Sequence, residues 1–289
     1  MEWQPGDVSG DIEDRRSEGG GGGGMNFGAP HLGIGGVLIL LILSVIFHRN
    51  FFAFFSGGGA PTASAPAARS KPASGPEEDR EVRFVSFVLD DVQHTWQTLL
   101  PAQANRQYRH AKLVLFRDET ESACGMAQTA IGPFYCPSDE KVYLDLGFFD
   151  ELRTRFGAPG EFAQAYVIAH EVGHHVQKLL GIEQKVQRLR ENDPAQANPL
   201  SVDLELQADC FAGVWGKSTE QRKIIDESDV QEGLRAAASV GDDRLQKMAT
   251  GRVSPETFTH GSSQQRMHWF QKGLSAGEIS ACDTFRAGQ

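Results

Sequence analysis

No run of clustered lysine or arginine appears in the 289 residues, and the formal net charge is -10. A surface that binds a phosphate backbone needs concentrated positive charge, so nucleic acid is excluded as a partner. The four cysteines, Cys124, Cys136, Cys210 and Cys282, lack the paired short spacing of a structural zinc ribbon. Their even number instead suggests two disulfides. Cys124 and Cys136 flank a bend containing Gly125, Gly132 and Pro133, and Cys282 can tie the C-terminal segment back to Cys210. Four unlinked, buried thiols are the competing reading of the same residues. No internal repeat is present. With 40% hydrophobic and 23% charged residues, the chain can bury a sizeable core in one large or two small domains.

Charge is also missing from one long stretch. From His31 to Phe47 the sequence HLGIGGVLILLILSVIF contains no Lys, Arg, Asp or Glu, and a second apolar patch, FFAFF, follows at Phe51 to Phe55. Together they match the roughly 20 residues that cross a hydrocarbon layer, so residues 31–55 are expected to form a single N-terminal transmembrane helix. A cleaved signal peptide would begin with a short basic stretch, whereas Asp7, Asp11, Glu13, Asp14 and Glu18 precede this run. Residues 1–30, with the glycine run Gly19 to Gly24, read as a disordered tail. Residues 56–79 read as a flexible Gly/Ala/Pro/Ser linker, and residues 80–289 as the globular domain. Arg15 and Arg16 before the run and Arg49, Arg69 and Lys71 after it do not favour an outside C-terminus. The cysteines do, because disulfides persist in oxidising compartments. The expected placement is single-pass in a membrane, with the domain extracytoplasmic.

Within the domain, Phe84, Phe87, Val88, Val92 and Trp96 recur at helical spacing, and AKLVLF reads as a strand. IGPFYCPSDEKVYLDLGFF reads as a hairpin turning at Pro137 to Asp139. Helices follow at Asp150 to Phe156, Glu161 to Leu180 with Gly181 as its stop, Val202 to Trp215, Val230 to Ala249 and Ser262 to Leu274, with a polar loop from Asn192 to Asn198. The fold class is α+β, mainly helical with a small β-sheet or hairpin.

The chemistry begins in AHEVGHHVQ, Ala169 to Gln177. Positions four apart share a helix face, so His170 and His174 can aim at one point beside Glu171, as the HExxH pattern requires. A catalytic zinc keeps three protein ligands and leaves a position for water, for which Glu171 is the candidate general base. The segment SVDLELQADCFAGVW offers the third ligand: Glu205 and Asp209 are also four apart. Glu205 can complete the zinc sphere while Asp209 accepts the remaining N–H of a liganding imidazole. A solvated carboxylate face is the alternative, but Leu204, Leu206, Ala208, Cys210 and Phe211 surround the pair, and buried carboxylates without a cation are costly. Asp203 is about half a turn off that face, and His175 is turned away from the zinc-facing side, to the surface or to a supporting place behind the ligands. His94, His110 and His268 have no partner spacing.

Taken in order, AHEVGHHVQ, ELQADCFAG and FTHGSSQQR, together with the amino-terminal DIEDRR, resemble the neutral zinc metallopeptidase family of bacterial membrane-anchored proteins. The resemblance covers nearly the whole chain and implies a zincin-like fold. HExxH followed by ExxxD is also similar to the gluzincin peptidases, where Glu is the third ligand. THGSSQQR resembles a segment of the CAAX prenyl endopeptidases, which implies that His260 donates to the developing oxyanion and that Arg266 orients carboxylates or substrate carbonyls. Those peptidases carry proline where this chain has Gly261. Capping of the last helix by Thr259 or Ser262, with His260 merely nearby, is the plainer reading.

The expectation is therefore a membrane-anchored endopeptidase holding one Zn(2+) per chain, with a peptide or protein substrate and an edge near Val142 to Leu146 for an extended substrate. A catalytically weak, zinc-stabilised binding or scaffolding module is the alternative. A zinc hydrolase acting on a non-peptide amide has the same sequence signature.

Overall fold

A computed structural model of the chain describes residues 1–18, 75–128 and 131–286. A long helix, α1 (Pro76–Ala104), begins with proline in its first turn and with Glu77, Glu78 and Asp79 beside the positive end of its dipole. Its inner face buries Val85, Val88, Leu89, Val92 and Trp96. The helix starts four residues before the expected domain boundary, so the end of the supposed linker is helical. Residues 31–55, expected as the anchor, lie outside the described residues. Among the described residues no helix is long and apolar enough to cross a membrane.

The strands are β1 (Ile12–Asp14), β2 (Lys112–Phe116), β3 (Glu119–Ser122), β4 (Gly125–Gln128), β5 (Phe134–Cys136) and β6 (Lys141–Asp145). Four form one sheet in the order β1-β2-β6-β5, while β3 and β4 make a separate ribbon. β1 and β6 run parallel to β2 on either side of it, and β5 is antiparallel to β6. Side chains alternate across β2 as a strand requires: Leu113 and Leu115 join the helical core, Val114 and Phe116 a smaller cluster with Tyr143 and Ala127.

Two expectations change here. Residues 1–18 are not a disordered tail. β1 adds to the sheet with Ile12 opposite Leu113, Trp3 packs edge-on against Phe84 with ring centroids 5.2 Å apart, and the Met1 ammonium sits 2.7 Å from the Asp229 carboxylate. The single-residue spacing of a short mixed-polarity strand carries little periodic signal, which is why it went unread. The strand from Lys141 is also not an edge, because β2 and β5 flank it. The edge on that side is β5.

The helical layer comprises α2 (Gly147–Thr154), α3 (Glu161–Leu180), α4 (Ile182–Asn192), α5 (Ala197–Gln221), α6 (Glu227–Ser239), α7 (Asp242–Thr250) and α8 (Ser263–Ala276). α3 has the expected bounds and closes on Gly181 in the left-handed conformation. The continuous helix expected over Val230 to Ala249 is two, broken where Gly241 takes an extended backbone and Asp242 and Asp243 open a new first turn. α5 and α8 cross at Gly213 and Gly273. A Cβ on Gly213 would lie 2.1 Å from the Phe270 carbonyl oxygen, and one on Gly273 1.9 Å from that of Cys210.

Both expected disulfides are present. Cys124–Cys136 joins the ribbon's turn to β5, and Cys210–Cys282 ties the C-terminal segment to α5.

Candidate metal centre

α3 carries His170, Glu171 and His174, and α5 carries Glu205 and Asp209. The helices approach closely because Gly173 faces Ala208: a Cβ there would stand 3.1 Å from the Ala208 carbonyl oxygen. Glu205 is thereby set between the two imidazoles, with Oε2 3.3 Å from His170 Nε2 and Oε1 3.5 Å from His174 Nε2. One ligand atom from each of the three residues lies within 4.8 Å of the others.

Hydrogen bonds fix which ring nitrogens are available. His170 Nδ1 is 2.9 Å from Asp209 Oδ1, an acceptor, and so carries the proton. His174 Nδ1 is 2.8 Å from the Gln177 side-chain oxygen, and donates to it. Both Nε2 atoms are therefore the ones turned to Glu205. Two imidazoles and one carboxylate suit zinc, whose catalytic sites commonly take three such ligands, so the residues present fit the ion.

Asp209 is fully buried, and Arg266 forks onto it, Nε to Oδ2 at 2.8 Å and Nη2 to Oδ1 at 2.9 Å. Tyr166 donates its hydroxyl to the same carboxylate. Burial alone would raise the Asp209 pKa, but Arg266 and His170 outweigh it and hold it below the ordinary value. Arg266 reaches this carboxylate from α8. Burial also raises Glu205, and the charges of His174, His260 and His170 overcome it, leaving this carboxyl well below its usual range. Glu171 is different. It is buried on the cavity wall, and burial pushes its pKa upward against the opposing pull of His170 and His174.

His260 stands half-exposed at the cavity rim. Its loop is wrapped around Asp242, whose Oδ2 accepts the backbone N–H groups of Thr259 at 2.7 Å, His260 at 2.7 Å and Gly261 at 3.2 Å. Asp242 Oδ1 lies 3.2 Å from His260 Nδ1. Burial lowers the His260 pKa, but Glu205 and Asp242 more than offset it and keep the ring basic. Gly261 has φ +86°, which proline's fixed φ of about -65° cannot adopt, so this loop follows a different backbone path from that of a proline-bearing segment. Ser262 does cap α8, in a capping box with Gln265. The plainer reading holds for Ser262, while His260 also faces the cavity.

His175 is neither at the surface nor at the metal centre. It is completely buried, with Nε2 2.7 Å from the Arg109 carbonyl oxygen and Nδ1 2.9 Å from the Tyr135 hydroxyl. The carbonyl can only accept, so Nε2 carries the proton and Tyr135 donates to Nδ1. Tyr166, Gln177 and Asp242 were not singled out from sequence. Tyr166 and Gln177 lie one turn from His170 and His174 and were readable by that spacing, whereas nothing local marks Asp242.

The cavity over these groups measures about 490 Å³. Ile131, Pro133 and Phe134 on the β5 side and Phe148, Phe156 and Val167 on the helical side form its apolar wall. Residues 1–285 match the family model described as "putative neutral zinc metallopeptidase". The chain belongs to that family. It is 45% identical over 288 residues to the uncharacterized protein YpfJ of Escherichia coli K12, covering 99% of each chain. It is 43% identical over 209 residues to the uncharacterized protein Rv2575 of Mycobacterium tuberculosis H37Rv, covering 68% of each. No solved structure matches the chain.

Proposed function

We propose that the protein is a zinc-dependent endopeptidase with one zinc per chain, held by His170, His174 and Glu205. The observation that carries this reading is the pair of Nδ1-protonated imidazoles, each fixed from behind, with both Nε2 atoms turned to Glu205. Zinc held there would supply Lewis acidity for activating water and polarising a substrate carbonyl. Glu171 takes the proton of the attacking water and delivers it to the leaving amine nitrogen, from its place on the cavity wall beside His170. His260 in its charged form donates to the oxyanion, with Asp242 holding its ring. β5 is the last strand of the described sheet and lines the cavity, and an extended peptide can add to it.

Membrane attachment through residues 31–55, at the bacterial plasma membrane, belongs to the same proposal. The two disulfides support an oxidising, extracytoplasmic location. The decisive experiment is Glu171→Gln. It is expected to keep zinc at wild-type stoichiometry and to lose chelator-sensitive cleavage of an unfolded protein. Undiminished turnover would overturn the role of Glu171, and wild-type protein that binds zinc yet cleaves nothing would favour the scaffolding alternative.

A further inference from the structure

The amino-terminal DIEDRR motif, Asp11 to Arg16, supplies neither a candidate ligand nor part of the cavity lining, and its contacts show what it is for. Leu113 N–H donates to the Asp11 carbonyl and Arg15 N–H to the Leu115 carbonyl, each at 2.8 Å, so the segment is zipped to β2 along its length. The side chains extend the attachment. Glu13 accepts from Lys141 Nζ at 2.8 and 2.9 Å, Asp11 accepts from Lys112 at 2.7 Å and Gln93 at 3.0 Å, and Arg16 reaches Glu78 at 2.6 Å. Upstream, Trp3 covers Phe84 and donates its indole N–H to Glu161 at 3.1 Å. These contacts tie residues 1–18 to β2, β6, α1 and α3, which are the frame that holds the metal-ligating helix.

Residues 1–18 and 75–286 therefore belong to one folded unit, and the apolar run 31–55 falls between them in the sequence. Two points on one side of a membrane are joined by an even number of crossings. Two crossings need about 40 apolar residues, and the stretch from His31 to Phe55 has the length of one. A single crossing would place β1 and β2 in different compartments and break every contact just described.

We propose that residues 1–18 and residues 75–286 remain together on one side of the membrane. This rests on the membrane attachment proposed above only in supposing that lipid is present. The test uses the full chain with Ser17→Cys or Gln231→Cys, both at exposed positions on opposite sides of the apolar run. The native cysteines are disulfide-bonded and give no background. Each variant is treated with a membrane-impermeant maleimide on spheroplasts, before and after permeabilisation. Matching behaviour at both positions is expected. Labelling of one before permeabilisation and of the other only afterwards would overturn the proposal. Sedimentation with membranes is scored in parallel. Matched labelling of protein found only in the soluble fraction would support the shared placement while overturning membrane attachment.

Discussion

Arg266 and Asp209 form a two-point ion pair at the back of the metal centre, one from α8 and the other from α5, with the guanidinium 4% exposed and the carboxylate 0%. Because the carboxylate also orients His170, the pair links the packing of three helices to one metal ligand. Arg266→Met would leave the buried Asp209 carboxylate with the Tyr166 hydroxyl and the His170 ring but without the guanidinium, and breaking such a buried pair costs about 3–5 kcal/mol. Equilibrium denaturation of the metal-free protein should show that loss. Arg266→Lys should recover part of it, since charge returns without the planar fork. Equal stability for the methionine variant and wild type would remove the pair from the account.

Gln177 does for His174 what Asp209 does for His170, with a neutral group. Its amide nitrogen is held by the Leu204 carbonyl at 2.7 Å and the Gln207 side chain at 3.1 Å, which turns the oxygen towards the imidazole. Gln177→Leu frees the ring to rotate and should weaken zinc binding by about 10- to 100-fold, the usual consequence of losing such support. Chelator competition measures it directly. An unchanged zinc affinity would show that packing alone orients His174.

Much of this was legible in AHEVGHHVQ and ELQADCFAG, because ligands four apart on a helix announce themselves through the period of the helix. The bounds of α3 were readable too, from an apolar run that ends in glycine. What escaped was chemistry assembled across the chain. Asp242 reaches the site through loop amides seventeen and more positions away, and no local pattern encodes that. The burial of His175 depends on Tyr135 and Arg109, distant in sequence, so a helical-wheel argument could place it off the metal, at the surface or behind the ligands, but could not find these partners. β1 was missed because its three residues gain their stability from β2 and from side-chain ion pairs rather than from any periodicity of their own.

Asp242 and His260 should give the loop at 259–261 a pH-dependent stability. The Asp242 carboxyl is held below its ordinary value, chiefly by the His260 hydrogen bond and charge acting against burial. Its contribution is present above about pH 4 and is lost as pH falls through the lower folded value. His260 is held up, so its contribution is present below about pH 6.5 and is lost as pH rises through the higher folded value. The stability difference between wild type and Asp242→Asn should therefore be greatest between about pH 4 and 6.5 and shrink on both sides. Denaturation of the metal-free proteins across that range checks it, and a difference independent of pH would show that the pair contributes through shape alone.

The two disulfides should differ in what their removal costs. Cys210–Cys282 spans a sequence separation of 72 and Cys124–Cys136 one of 12. Loop-closure entropy alone assigns about 4 kcal/mol to the longer link and about 3 kcal/mol to the shorter. The longer link has a second consequence. The Cys282 carbonyl accepts from Gln207 at 2.8 Å, and Gln207 in turn holds Gln177 behind His174. Replacing Cys210 and Cys282 with alanine should lower both thermal stability and zinc affinity, whereas replacing Cys124 and Cys136 should lower stability with zinc affinity kept. Paired melting curves and zinc competition on the two double variants separate these effects. Equal zinc affinity in both would show that the hydrogen-bond chain through Gln207 does not depend on the covalent link.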